Sequence, residues 1–131
     1  MEREIKFRGQ KLINDQWVYG FYAGDHPFLN QSIIISGVTE YDVEPKTVGQ
    51  YTGLKDKNDS EIYEDDIVIA KGEVNVLYLV KFGQFMYSDA CFFLEEISDS
   101  NPPLRFFSRG IDQTEIIGNI YENPELMEGA S

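Results

Sequence analysis

Residues Val48 to Ala70 read VGQYTGLKDKNDSEIYEDDIVIA, a glycine-containing segment, a run of alternating charges, an acidic triplet and a short apolar strand. Three meanings compete for this stretch: a metal loop, a catalytic carboxylate cluster, or a turn leading into a strand. A calcium loop beginning at Asp56 takes Asn58 and Ser60 at its third and fifth places. It then puts Glu61 where the sharp turn needs glycine and Ile67 where a bidentate glutamate is required. That loop is excluded. The turn fits better, because KDKND is dense in turn-forming residues, and Asn58 and Asp59 tolerate left-handed backbone. The triplet Glu64, Asp65 and Asp66 then stands at the entrance to IVIA, where acids discourage an exposed strand from pairing with another chain.

Outward from this stretch the pattern is one of short strands. EIKFR (Glu4–Arg8) alternates, and the aromatic QWVYGFYA (Gln16–Ala23) follows across a turn-rich linker, which predicts a hairpin. SIIIS (Ser32–Ser36) reads as a fully buried strand, and TVGQY (Thr47–Tyr51) starts after Pro45. After Asp66, five strands are expected: DIVIA, VNVLYLVKF, CFFLEEI, LRFF and EIIGNIY, the first two joined by a hairpin at KGE. In VNVLYLVKF the alternation puts Val74, Val76, Tyr78, Val80 and Phe82 on the core face. SDSNPP (Ser98–Pro103) is a loop. The one helix signal is NPELMEG, with Asn123 as N-cap, Pro124 at the first helical place and Gly129 as the stop.

The expected fold is therefore all-β. It comprises a small bent sheet or partly open SH3-like barrel from about residue 62 to residue 121, an N-terminal hairpin region and a short C-terminal helix. The 131 residues suit one domain, 1–131, or two β lobes at 1–60 and 61–131.

Charge narrows the function. Residues 1–60 carry 7 Lys/Arg and 9 Asp/Glu, net −2, and residues 61–131 carry 4 and 14, net −10, giving −12 overall. Such a field disfavours duplex DNA and favours a basic partner protein. Cys91 is the only cysteine, so no intrachain disulfide forms; in ACFFL it reads as a buried thiol, which suits a reducing cytoplasm. No apolar run reaches signal-peptide or membrane-spanning length.

No catalytic constellation stands out. Glu61, Glu64, Asp65 and Asp66 would need convergent geometry to work as acids or metal ligands, and neighbours on a strand point to opposite faces. Ser88, Ser98 and Ser100 lack a nearby histidine, since the only one is His26, and no phosphate-binding glycine pattern occurs. No cofactor or metal is expected. Of the aromatics, Tyr19, Tyr22, Tyr51 and Tyr63 are candidate partner anchors.

REIKFRGQ…WVYGFY (Arg3–Tyr22), TVGQYTGLKDKNDSEIYEDDIV (Thr47–Val68) and IIGNIYENPELM (Ile116–Met127) together resemble the YopX family of small phage and prophage proteins over nearly the whole chain. The resemblance implies a phage or prophage product in the bacterial host cytoplasm and carries no activity or catalytic residue with it. Two positions depart from the family pattern. Asp59 and Asp65 stand where relatives read glycine, in KNG and YEGDIV, so both are expected to take positive φ. If glycine serves instead to admit a ligand to the backbone, aspartate blocks it.

The leading expectation is a non-enzymatic accessory protein that contacts a host or phage protein through Tyr63, Glu64, Asp65, Asp66, Glu95 and Glu96. The alternatives are a nucleic-acid-linked regulator that binds single strands and a metal-dependent hydrolase using Asp65 and Asp66. Self-association through strand edges is compatible with all three.

Overall fold

The computed structural model describes residues 5–26, 28–85, 88–98, 102–107 and 109–128, without the side chains of 85, 88 and 89. Glu4, Asp99, Ser100 and Gly129, which carry sequence expectations above, lie outside the described residues. The chain is mainly β, with two antiparallel sheets, and divides into compact units at Met1–Gly53 and Leu54–Ser131. The division falls inside a strand, earlier than the expected lobe boundary at residue 60.

Unit 1 holds β1 (Phe7–Gln10), β2 (Trp17–Asp25), β3 (Ser32–Ser36), β4 (Thr39–Val43) and most of β5 (Gly49–Lys55), in the order β4-β3-β2-β1-β5. The predicted hairpin is β1–β2, closed by a turn in which Asp15 adopts φ 59° and the Gln16 N–H donates to Asn14 Oδ1 at 3.1 Å. Val18, Ile34 and Val43 form the core, with Phe7, Tyr22, Tyr41 and Val48 packed around them. The end of β4 also meets the segment that follows β1. Lys11 bridges Val43, the Leu12 N–H donates to the Asp42 carbonyl at 3.2 Å, and the Glu44 N–H donates to the Gln10 carbonyl at 2.9 Å. One isolated bridge does not make a closed barrel. SIIIS was expected to be fully buried, yet only Ser32 and Ile34 are, while Ile33 and Ile35 are half-buried on the other face.

Unit 2 contains β6 (Glu61–Tyr63), beside β5, whose last residues Leu54 and Lys55 belong to this unit. Its main sheet consists of β7 (Asp66–Ala70), β8 (Val76–Phe85), β9 (Ser88–Glu96), β10 (Arg105–Phe107) and β11 (Glu115–Asn119), in the order β10-β9-β8-β7-β11. All five expected strands are present. The sheet is open, with β10 and β11 at its edges, and does not close into a barrel. Ile62, Val68, Val80, Leu94 and Ile111 make the core, with Tyr78 and Ile116 against it.

The expected core face of β8 needs correction. Val80 is buried and Tyr78 half-buried, but Val74 lies exposed ahead of the strand and Phe82 is exposed, stacking on Phe92 at 4.7 Å. Leu79, on the opposite face, is buried instead, because β8 lies in the middle of its sheet and both faces are covered there. Cys91 is half-buried rather than buried.

The C-terminal helix is a 3₁₀ helix at Pro124–Glu128. Asn123 turns its side chain backwards, its Oδ1 accepting the Asn119 N–H at 3.2 Å, while its carbonyl takes the i+3 bond from Leu126 at 3.0 Å. Its cap oxygen serves β11, so the segment forms the tighter, shorter helix type.

Candidate functional site

The opening stretch folds into two structural turns. In the first, the Asp56 N–H donates to the Ser60 carbonyl at 2.9 Å and Asp59 adopts φ 65°. The Asp56 carboxylate is buried within it. Oδ1 accepts the N–H groups of Asn58 and Ser60 at 2.9 and 3.0 Å, and Oδ2 accepts the N–H of Ile116 on β11 at 2.9 Å. Burial pushes its pKa up, but the donors from Ile116, Ser60 and Asn58, with Lys57 adding to them, outweigh that and hold it below 3.8. The Lys57 N–H donates to the Thr114 carbonyl at 2.9 Å, and Glu115 gathers Asn58 Nδ2 at 3.1 Å and Lys71 Nζ at 3.3 Å. The turn is thus pinned to one edge of the main sheet.

The second turn carries the chain from β6 to β7 through Glu64 and Asp65. Asp65 adopts φ 73°, the left-handed backbone expected there. Its N–H donates to the Val80 carbonyl at 2.7 Å, its carbonyl accepts the Ile120 N–H at 3.2 Å, and its Oδ2 accepts the Tyr121 hydroxyl at 2.5 Å. Asp66, 2% exposed, accepts the Tyr63 N–H on Oδ2 at 2.8 Å. Asn119 completes the arrangement, since its Oδ1 accepts the N–H groups of Tyr121 and Glu122 at 3.0 and 2.9 Å and so positions the tyrosine.

These placements sort the predicted contact residues. Tyr63 and Asp66 are each 2% exposed and are inaccessible to a partner; the Tyr63 N–H bond to Asp66 ties the two together across the turn. Glu64 and Asp65 are half-buried at the same turn. Glu95 and Glu96 lie apart from them. Glu95 pairs with Lys81 Nζ and Arg105 Nε, both at 3.3 Å. Glu96 stands opposite Tyr78 in the ladder; burial, and then the charge of Glu96, push the Tyr78 pKa up. Both glutamates line a cleft of about 190 Å³ with Leu79, Ile97, Ser98, Pro103 and Met127, and none of residues 63–66 contributes to it. Of the predicted tyrosine anchors, Tyr51 and Tyr63 are buried, Tyr22 is half-buried and hydrogen-bonded to Asp25 at 2.8 Å, and only Tyr19 is exposed. Among the described residues, no group of three or more His, Cys, Asp or Glu is placed to hold a metal ion.

An accessible apolar surface built by regular structure lies on one face of β2 and β3. On β2, Tyr19 and Phe21 stand on one face, 44% and 64% exposed. The register continues the row from Phe21 to Ile35 on β3 and then to Glu40 on β4, with Ile33 opposite Asp42 beside it. Directly opposed residues of antiparallel strands share a face. An aromatic and aliphatic strip therefore ends on two exposed carboxylates. The signal was present in TEYDV (Thr39–Val43), which alternates strictly.

The family model described as "YopX protein" matches residues 6–128. No curated protein matches the chain. Among solved structures, the chain is similar to protein EF1440 from Enterococcus faecalis, with 27% identity and a TM-score of 0.58, covering 97% of this chain and 100% of that one. With the match spanning both units and both turns, the chain belongs to the YopX family.

Proposed function

We propose that the protein is a non-enzymatic accessory module of phage or prophage origin that acts in the bacterial cytoplasm by binding another protein. The observation carrying this reading is one face of β2 and β3, where the exposed Tyr19 and Phe21 and the half-buried Ile33 and Ile35 form an apolar strip on regular secondary structure. Contiguous exposed apolar surface of this kind marks interaction sites, and burying one side chain the size of Phe21 contributes about 1.5–3 kcal/mol. The carboxylates that a hydrolase would use are committed elsewhere, Asp66 to the Tyr63 N–H and Asp65 to the Tyr121 hydroxyl. The cytoplasmic setting rests on the family context; among the described residues no helix is long and apolar enough to cross a membrane.

The test is capture from host lysate with wild type beside a Tyr19→Ser, Phe21→Ser double variant. A specific protein held by the wild type and lost by the variant is the expected result. Identical capture by both removes this face from the reading.

A further inference from the structure

We infer that the outer face of β2, β3 and β4 takes a cationic, arginine-bearing segment of its partner, with apolar side chains over Phe21 and Ile35 and guanidinium groups reaching Glu40 and Asp42. This rests on the proposed binding role and names the chemistry of what is bound.

Charge complementarity selects the occupant. The strip ends on Glu40 and Asp42, which are exposed and stand directly opposite Ile35 and Ile33. Residues 1–60 carry only −2, so selection rests on Glu40 and Asp42 themselves: they repel a nucleic-acid backbone, and a second copy would bring the same two carboxylates to the face. A basic protein segment meets neither obstacle. Arginine suits the site better than lysine, because its planar guanidinium both stacks on aromatic faces and forks to carboxylates.

Unit 1 already uses the same chemistry internally. The Arg8 guanidinium lies 4.4 Å from the Trp17 ring centroid, and β1 pairs Arg8 with Tyr19, which places it on the same face as the strip. Lys11 stands 4.6 Å over Tyr41 on β4, and Lys6 5.4 Å over Tyr51. Aromatic rings in this unit are thus repeatedly covered by cations, while Tyr19 and Phe21 are exposed.

The segment lies on the face rather than adding to the β4 edge. In β4 the Asp42 carbonyl is taken by the Leu12 N–H, and the Glu44 N–H just beyond by the Gln10 carbonyl, so the C-terminal part of this edge is closed to strand addition. Affinity then comes from side chains, and salt sensitivity follows.

The experiment titrates a synthetic peptide alternating arginine and valine, and a counterpart with glutamate for arginine, into the full chain at low and moderate salt. Wild type is compared with Phe21→Ser and with Glu40→Gln, Asp42→Asn, each checked for an unchanged thermal transition. All three positions are exposed, so the variants fold. The arginine peptide is expected to bind the wild type, to weaken with salt, and to lose about tenfold or more in affinity in each variant. Absence of binding to the wild type, equal binding of the glutamate peptide, or undiminished binding by either variant overturns the inference. A lysate partner lost with Tyr19→Ser, Phe21→Ser but kept with Glu40→Gln, Asp42→Asn leaves the binding reading standing and removes only its cationic part.

Discussion

The Tyr121 hydroxyl donates to Asp65 Oδ2 at 2.5 Å, joining the turn between β6 and β7 to a residue 56 positions further along the chain. Three other bonds converge on the same corner: Asp65 N–H to the Val80 carbonyl, Ile120 N–H to the Asp65 carbonyl, and Tyr121 N–H to Asn119 Oδ1. The contact fixes the place where the chain passes from β6 into β7. Removing a hydrogen bond to a charged group costs about 1.5–3 kcal/mol when the remaining partner is left unsatisfied. Tyr121→Phe is therefore expected to lower stability to urea by about that much, and Tyr121→Phe combined with Asp65→Asn to lose less than the sum of the two. Strict additivity in the denaturation midpoints would show that the bond contributes nothing of its own.

Asp59 and Asp65 both hold left-handed backbone, at φ 65° and 73°, but only Asp65 binds a distant group through its side chain. Left-handed backbone costs an L-residue about 1–2 kcal/mol, from which glycine is exempt. At Asp59 the side chain offers only an exposed pair with Lys55 at 3.6 Å, worth little in water. Asp59→Gly is thus expected to leave stability unchanged or raise it by up to about 1 kcal/mol, whereas Asp65→Gly gains the same relief but forfeits the Tyr121 bond and is expected to be the less stable of the two. Thermal midpoints of the two variants, measured side by side, check the ordering; a more stable Asp65→Gly would mean that backbone strain outweighs the bond.

The same two residues show what the chain discloses locally. Their positive φ was readable because turn composition and the family resemblance both point to it, and the strands of unit 2 were readable because apolar runs recur between turn signals. β4 escaped because acids fill two of its five places, and strands are depleted in acids. β6, with three residues, is too short for any period to register. The bonds of the acidic triplet were not readable for a different reason: what Asp65 and Asp66 bind is set by tertiary contacts. Asp66 turns back to Tyr63, and Asp65 reaches Tyr121 on a distant segment. No spacing rule within EDD carries that information.

Asp56 should leave a mark on the acid limb of stability. Its carboxylate is held below 3.8 in the folded chain, so the unfolded chain binds the proton more readily. The sign follows: the contribution is fully present above the ordinary carboxylate value and is lost as pH falls through the depressed folded value. Asp56→Asn keeps one accepting oxygen where three N–H groups need two. Wild type is expected to exceed Asp56→Asn in urea stability at neutral pH, with the gap closing as pH drops below about 4. A gap that stays constant down to acid unfolding would show that the carboxylate charge is not what the three donors recognise.

Gly20 gives the sharpest contrast between two glycines of one strand. A Cβ placed there would collide with the Ile35 carbonyl oxygen and come within 2.9 Å of its carbonyl carbon, because β3 passes directly over that point of β2. Backbone cannot yield as a flexible side chain does, so Gly20→Ala must push β2 from β3 or distort the ladder. Overpacking of this kind costs about 1–3 kcal/mol or more. At Gly24 a Cβ meets nothing within 4 Å, but the backbone sits at φ 100°, so Gly24→Ala brings conformational strain without collision. Both variants are expected to be destabilised, for separable reasons. Loss of the β2–β3 ladder should raise amide exchange at Phe21, Tyr22, Ile34 and Ile35 in Gly20→Ala, while in Gly24→Ala the rise should stay near the bulge between Tyr22 and Gly24. Equal exchange profiles in the two variants would mean that the close approach of β3 to Gly20 does not hold the two strands in register.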